Sequence, residues 1–182
     1  RCEWAKIEPN TTYHDKEWGI PQHSDKKLFE FLILEGAQAG LSWSTILNRR
    51  DGYRLAFSNF DAVKVSKYTP NHVKKLIQNK AIIRNKLKIN SAINNARQFI
   101  KIQKEFGSFD EYLWRFVNHK PIKNKFKKYS DLPSYTIISK KLSQDLKKRG
   151  FNFVGPTICY ALMQAVGMVN DHTIDCFRYS KL

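Results

Sequence analysis

The 182-residue chain has few cysteines and no long apolar run, and both shortages narrow what it can be. Its three cysteines form an odd set, which argues against a disulfide framework and fits a reducing compartment. No stretch is apolar over the length that a membrane-spanning helix needs, and the opening residues RCEWAKIEPN lack the apolar core of a signal peptide. We therefore expect a cytoplasmic protein that does not bind membranes.

Acidic residues are also scarce, since 16 Asp and Glu stand against 32 Lys and Arg and leave a formal net charge of +16. Such an excess of positive charge favours a polyanionic partner, and nucleic acid is the first candidate. The alternative is that the lysines reflect a compositional drift and cover solvated helix faces.

The sequence shows neither the alternation of apolar and polar residues that is typical of β-strands nor a segment that resembles a linker. No Pro/Gly/Ser-rich stretch or repeat divides it, so one domain over residues 1–182 is expected. Apolar residues recur at helical spacing in most segments, which predicts an all-α fold. The exception is the basic segment 120–128, which has no clear periodicity and is expected to be a surface loop.

Several helix ends can be predicted from capping residues. Ser24 precedes a predicted helix that is rich in apolar residues. A second helix is predicted to begin at Thr69-Pro70 and to be interrupted near Asn79. A long apolar stripe from Ile82 to Ile100 predicts a helix ending at Gly107, and Ser108 begins the next one.

Cysteine and histidine gather at the two ends of the chain. His172 and Cys176 are four residues apart, so on a helical turn their side chains would share a face. Cys2 and His14 could complete a set of two thiolates and two imidazoles, which suits zinc and leaves no position for an activated water. The alternative is four unrelated residues, because the gap between Cys2 and His14 is wider than in zinc fingers.

Glu35 is unusual because it falls on the apolar stripe of its helix, seven residues after Leu28. A carboxylate in that position is expected to be buried or to line a pocket, and four small residues that follow it could leave room for a ligand. The alternative is a salt bridge to an internal Lys or Arg. Aromatic side chains nearby in sequence would suit a flat base, although each alone could be a core residue: Trp4, Tyr13, Trp18 and Trp43.

The segment RGFNFVGPT lies between two predicted helices and resembles a nucleic-acid contact. Gly150 permits a tight turn, and Pro156 presets the first turn of the second helix. Unpaired N–H groups there would attract a phosphate, helped by the positive charge that precedes them. An ordinary helix–turn–helix corner is the alternative. The candidate DNA-binding residues are Lys147, Lys148, Arg149, Gly150, Val154, Gly155 and Thr157.

Five segments together make the chain similar to the bacterial 3-methyladenine DNA glycosylase I family of the helix-hairpin-helix superfamily. They are YHDKEWG (13–19), LFEFLILEGAQAGLSW (28–43), FVNHKP (116–121), LKKRGFNFVGPTICY (146–160) and VNDHTIDC (169–176). The resemblance covers essentially the whole chain. It implies a helix-hairpin-helix glycosylase fold, a closed structural zinc site that joins the termini, and hydrolysis of the N-glycosidic bond of 3-methyladenine in alkylated double-stranded DNA.

By the same resemblance, each candidate residue acquires a role. The zinc ligands are Cys2, His14, His172 and Cys176. Glu35 is the catalytic carboxylate that recognises the base, and Trp43 and Tyr13 stack on that base, with Trp4 and Trp18 beside them. Residues 150–157 bind the DNA backbone.

One departure concerns the catalytic aspartate that related glycosylases carry after the second hairpin helix. This chain has Asn170 in that slot, with Asp171 adjacent. Lacking a clear aspartate or lysine nucleophile, the enzyme is expected to be monofunctional, leaving an abasic site. A monomer is the default expectation for its oligomeric state. Two alternatives are a non-catalytic, zinc-stapled nucleic-acid-binding module and a zinc hydrolase, which would need an open coordination position.

Overall fold

Ten α-helices account for most of the computed structural model, which describes all of residues 1–182; with five 3₁₀ helices of three residues each they bring it to 61% helix, and 2% is strand. In chain order they are α1 (Asn10–Lys16), α2 (Asp25–Gln38), α3 (Trp43–Leu47), α4 (Arg50–Ala56), α5 (Ala62–Ser66), α6 (Pro70–Gln78), α7 (Lys86–Phe106), α8 (Phe109–Trp114), α9 (Ile137–Lys148) and α10 (Pro156–Ala165). The all-helical prediction is therefore confirmed in outline. No helix is long and apolar enough to cross a membrane.

The helix ends largely follow the predicted caps. Ser24 precedes α2, Pro70 is the first residue of α6, and Ser108 accepts a hydrogen bond of 3.0 Å from the N–H of Glu111. Gly107 ends α7 with a φ of 89°, a conformation that favours glycine. Ile82 was predicted to lie in the long helix, but α7 begins only at Lys86, and Ile82 is buried in the preceding turn.

Helix α2 lies at the centre of the core and contacts α3, α7, α8 and α10. Its residues 28–37 are all buried, which explains why apolar side chains occupy almost every position rather than one stripe. Asp25 fixes its start relative to α8, because the carboxylate accepts hydrogen bonds of 2.9 and 2.8 Å from the N–H groups of Phe109 and Asp110.

The basic segment 120–128 is not wholly a loop. Residues Ile122–Lys123 form strand β1, which pairs in parallel with β2 (Val169–Asn170) in the register Ile122 to Val169. This short ladder ties the segment after α8 to the segment after α10 and fixes the chain just before His172. Each strand has only two residues, which is too short for an alternation of apolar and polar side chains to be recognised in the sequence.

Helices α9 and α10 are consecutive in the chain and pack against each other, and α10 also packs on α2. The turn between them holds Gly150 at a φ of 88° and Phe153 at a φ of 52°. The Ser143 hydroxyl of α9 donates to the Val154 carbonyl at 2.6 Å, which anchors the turn. The prediction that the segment RGFNFVGPT lies between two helices is therefore confirmed.

Candidate functional site

A cavity of about 430 Å³ opens between α2, α3 and α10 and is lined by 15 residues. Its volume falls in the roughly 300–1,000 Å³ range of small-molecule sites. All five residues that were proposed to bind a base meet there: Trp4, Tyr13, Trp18, Glu35 and Trp43. The rings contact one another, with 5.3 Å between the centroids of Tyr13 and Trp43 and 5.0 Å between those of Trp4 and Trp18.

Glu35 is 4% exposed and lines this cavity. Burial alone raises the pKa of its carboxyl from 4.5 to about 8, and no cationic side chain offsets that effect. The internal salt bridge considered as an alternative is absent. The carboxyl therefore carries a proton at neutral pH when the cavity holds no cation.

The other buried acid of α2 shows what a paired carboxylate looks like. Glu30 accepts a hydrogen bond of 2.7 Å from Arg50, which also forms two bonds to Glu17, and Lys27 lies 3.0 Å away. Although desolvation acts against ionisation, these cations lower the pKa of Glu30. The contrast makes Glu35 the unpaired acid of the helix.

Two further polar atoms at the cavity are buried without a partner in the protein. They are the hydroxyl of Tyr13 and the indole Nε1 of Trp43. Buried donors are normally hydrogen-bonded, so two orphaned donors beside an unpaired carboxyl indicate that a ligand completes the set. The pKa of Tyr13 is raised well above its ordinary value by burial and by Glu35, so its hydroxyl keeps its proton.

Sequence reasoning assigned no base-binding residue to the opposite wall of the cavity, and of its residues only Thr157 was predicted to be functional, as a DNA-binding residue. Thr157, Tyr160, Ala161 and Gln164 come from one face of α10, and five residues come from the segment 129–134. The spacing of three, four and seven residues along α10 is a helical face that could have been recognised. The segment 129–134 has no periodicity, so no sequence signal marked it.

The four metal-ligand candidates lie together at the back of this region, and all are buried. His172 Nδ1 lies 3.1 Å from His14 Nε2, 3.5 Å from Cys2 Sγ and 3.5 Å from Cys176 Sγ. Ligand atoms around a tetrahedral metal with normal Zn–N and Zn–S bonds lie roughly 3.3–3.8 Å apart. The two nitrogen–sulfur distances fall in this range and the nitrogen–nitrogen distance lies just below it, so the donor set fits a closed metal centre.

The second nitrogen of each imidazole is held by a hydrogen bond. His14 Nδ1 lies 2.8 Å from the Asp15 carboxylate, and His172 Nε2 lies 3.2 Å from the Trp18 carbonyl. Because both acceptors require an N–H, the nitrogens facing the cluster are the unprotonated ones that bind metals. Burial lowers the pKa of His172 to about 4, so its ring is neutral at pH 7.

The helical turn predicted for His172 and Cys176 is wrong. Residues 172–176 form a non-helical turn in which the Cys176 N–H donates to the Thr173 carbonyl at 2.8 Å. The Asn170 side chain accepts a hydrogen bond of 3.2 Å from the His172 N–H, and so directs the chain toward the cluster. The two side chains converge all the same.

The hairpin residues separate into three groups. Lys147 and Lys148 are exposed, whereas Arg149 is bound to Glu105 at 2.6 Å and to Asp145 at 2.8 Å. Arg149 also lies over the rings of Phe106 and Tyr112, so in the free protein its guanidinium is engaged within the fold rather than free for a phosphate.

In the turn itself, Val154 is buried, and its carbonyl accepts hydrogen bonds from the Ser143 hydroxyl and the Cys159 thiol. The N–H groups of Val154, Gly155 and Thr157 donate no hydrogen bond within the protein. Together with Pro156, they form the N-terminus of a ten-residue helix beside the cavity, where a phosphate could bind.

The comparisons with known proteins agree with this geometry. A family model described as methyladenine glycosylase matches residues 4–179. The chain is 47% identical over 180 residues to DNA-3-methyladenine glycosylase 1 of Escherichia coli, covering 98% of this chain and 96% of that protein. It is 45% identical to DNA-3-methyladenine glycosylase of Haemophilus influenzae, over 97% of this chain and 96% of that protein.

Solved structures with the same fold carry related names. A crystal structure of 3-methyladenine DNA glycosylase I matches with a TM-score of 0.95 and 44% identity, covering 97% of this chain and 98% of that one. A structure of the Staphylococcus aureus protein, described as the structural basis of 3-methyladenine recognition, matches with a TM-score of 0.94 and 35% identity, over 97% and 94% of the two chains.

Proposed function

The chain belongs to the methyladenine glycosylase family, and on that premise we propose that it excises 3-methyladenine from alkylated double-stranded DNA. It is a DNA glycosylase of base-excision repair that hydrolyses the N-glycosidic bond. The observation that carries the proposal is an unpaired, buried carboxyl, that of Glu35, in an aromatic cavity large enough for a nucleobase.

The chemistry of the lesion suits this cavity. A methyl group on N3 gives adenine a positive charge, which weakens the bond from C1′ of the sugar to N9. The base is extruded from the stack and packs against the rings of Tyr13 and Trp43, where Glu35 accepts hydrogen bonds from its amine edge. Inside a desolvated site, a cationic guest lowers the pKa of Glu35 and makes the carboxylate the stable form. Neutral bases gain no such interaction.

The bond then breaks with both electrons leaving on N9, while the oxygen of water bonds to C1′ and releases a proton. No lysine lines the cavity, so no amine is present to attack C1′ and form a Schiff base. The products are the free base and an abasic site in an intact strand. This supports a monofunctional reaction.

We also propose that zinc occupies the cluster of Cys2, His14, His172 and Cys176. Two thiolates and two imidazoles fill a tetrahedral shell, so the metal has no position for water and serves to join the two ends of the chain. A zinc hydrolase would need that open position. All four residues are buried, which favours a structural role.

DNA binding is proposed to use the start of α10 as a helix-hairpin-helix element. Free N–H groups of Gly155 and Thr157 would bind a backbone phosphate, and Lys147 and Lys148 would add sequence-independent attraction. We expect a monomer that works in the cytoplasm, where three unpaired cysteines are stable.

A base-release assay tests the function. The protein is incubated with DNA treated with dimethyl sulfate, and free purines are separated by chromatography. Release of 3-methyladenine, with strand breaks appearing only after alkali, is the expected result. Binding to the same DNA without release of any base would favour the non-catalytic binding module, which the net charge of +16 would also suit.

A further inference from the structure

Asp171 is a fully buried carboxylate that the reaction described above does not use. Its Oδ2 accepts hydrogen bonds from the Tyr160 hydroxyl and from Gln164 Nε2, the latter at 2.8 Å, and its Oδ1 accepts from Asn124 Nδ2 at 2.7 Å. Three donors, two from α10 and one from the segment that follows β1, thus satisfy the carboxylate. It is not free to act as a general base in the cavity.

The carboxylate determines how its neighbours face the cavity, because an ionised carboxylate only accepts hydrogen bonds. Gln164 must therefore turn its amide nitrogen toward Asp171, and its carbonyl oxygen has no partner in the protein. Tyr160 likewise donates its only hydroxyl hydrogen to Asp171. Both residues line the cavity that holds Glu35, so this wall offers acceptors rather than donors.

An acceptor wall distinguishes purines by the group on their six-membered ring. Adenine carries an exocyclic amine, which donates, whereas guanine carries a carbonyl oxygen at the same position, which accepts. An acceptor facing an acceptor in a desolvated site leaves both unpaired, which is costly.

We propose that Asp171 is a positioning residue that, through Gln164, makes the cavity select 3-methyladenine over 3-methylguanine. This inference rests on the proposed glycosylase function and adds a specificity-determining residue on α10, opposite Glu35. Gln164 touches the base, and Asp171 acts only by fixing the orientation of its amide.

The substitution Asp171→Asn tests the idea by reversing the polarity of one atom. The new amide keeps its oxygen toward Asn124 and places its nitrogen where Oδ2 was, so it donates to the oxygen of Gln164. The amide of Gln164 then turns, and its nitrogen faces the cavity. On DNA treated with dimethyl sulfate, we expect the ratio of 3-methyladenine to 3-methylguanine release to fall by about tenfold.

Two further variants separate positioning from damage to the fold. Asn124→Ala removes a hydrogen bond from the other oxygen of Asp171 and should leave the ratio unchanged. Gln164→Leu should itself lower the ratio, and adding Asp171→Asn to it should change the ratio no further. A loss of folded protein lowers release of both bases equally, so the ratio reports the orientation alone.

Each outcome decides the matter. If the wild type releases 3-methyladenine but the ratio is the same in Gln164→Leu and in folded Asp171→Asn, the inference is wrong and the proposed function stands. If Asp171→Asn does not fold, Asp171→Ser replaces it: the carboxylate that fixes the amide of Gln164 is gone, so a ratio equal to that of the wild type would overturn the inference. If the wild type releases neither base, the proposed function fails and the inference fails with it.

Discussion

Replacing Glu35 by Gln should change how the stability of the free protein depends on pH. In the folded chain, burial raises the pKa of this carboxyl from 4.5 to about 8. Between these two values the unfolded chain loses the proton while the folded chain keeps it, so the free energy of unfolding of the wild type falls as the pH rises. Below 4.5 both states are protonated, and above about 8 the effect is complete.

The size of the effect follows from that pKa difference. One pKa unit corresponds to about 1.4 kcal/mol, so a rise from 4.5 to about 8 amounts to about 5 kcal/mol as an upper value. Gln has nearly the shape of a protonated Glu and does not ionise. The variant should match the wild type near pH 4 and exceed its stability by several kcal/mol, at most about 5, near pH 9.

Urea unfolding of both proteins over this pH range, followed by circular dichroism, measures the difference. Glu30→Gln in the same helix is the matched control, because cations lower the pKa of Glu30. That carboxylate stabilises the fold above its unfolded pKa, so its loss should weaken the protein at neutral pH and have less effect in acid. A gap between Glu35→Gln and the wild type that is constant from acid to alkali would refute the reasoning.

Three other perturbations probe the remaining parts of the site. Cys176→Ser should lose bound zinc and lower the melting temperature, whereas Cys159→Ser, a buried cysteine outside the cluster, should keep zinc; full metal content in the first variant, measured by atomic absorption, would contradict the ligand assignment. Replacing Lys147 and Lys148 together by Gln should weaken binding to any DNA and reduce the slope of log affinity against log salt by about 1 to 2; an unchanged slope in a titration series would exclude phosphate contacts by these lysines. Tyr13→Phe should raise the free energy of unfolding of the free protein by about 1 kcal/mol, because it removes a buried hydroxyl that has no partner, while slowing base release; a less stable variant in urea unfolding would mean that the hydroxyl is satisfied after all.

The parts of the fold that sequence predicted are those set by local chemistry. A cap followed by proline at Thr69-Pro70 began a helix as expected, and the break at Gly107 ended one. Glu35 could be recognised because a single acid interrupted an apolar stripe, a conflict that local pattern makes visible.

The features that could not be predicted from the sequence are those fixed by contacts with residues far away along the chain. Arg149 looked like a phosphate ligand, but its guanidinium is bound by Glu105, 44 residues earlier, and no local rule gives that pairing. Ile82 follows the stripe of α7 in spacing but is buried by tertiary contacts before the helix begins. His172 and Cys176 converge in a turn whose path is fixed by β2 and by the side chain of Asn170.

Helix α10 has an implication for how far the enzyme can draw a nucleotide out of the duplex. Thr157 in its first turn lies among the N–H groups proposed to bind phosphate, and Gln164 in its last turn lines the cavity, about 10 Å away along the axis at 1.5 Å per residue. One helix thus sets the separation between the proposed phosphate site and the Gln164 side chain in the cavity. A single residue inserted within it would rotate Gln164 by about 100° and uncouple lesion reading from DNA grip without touching either end.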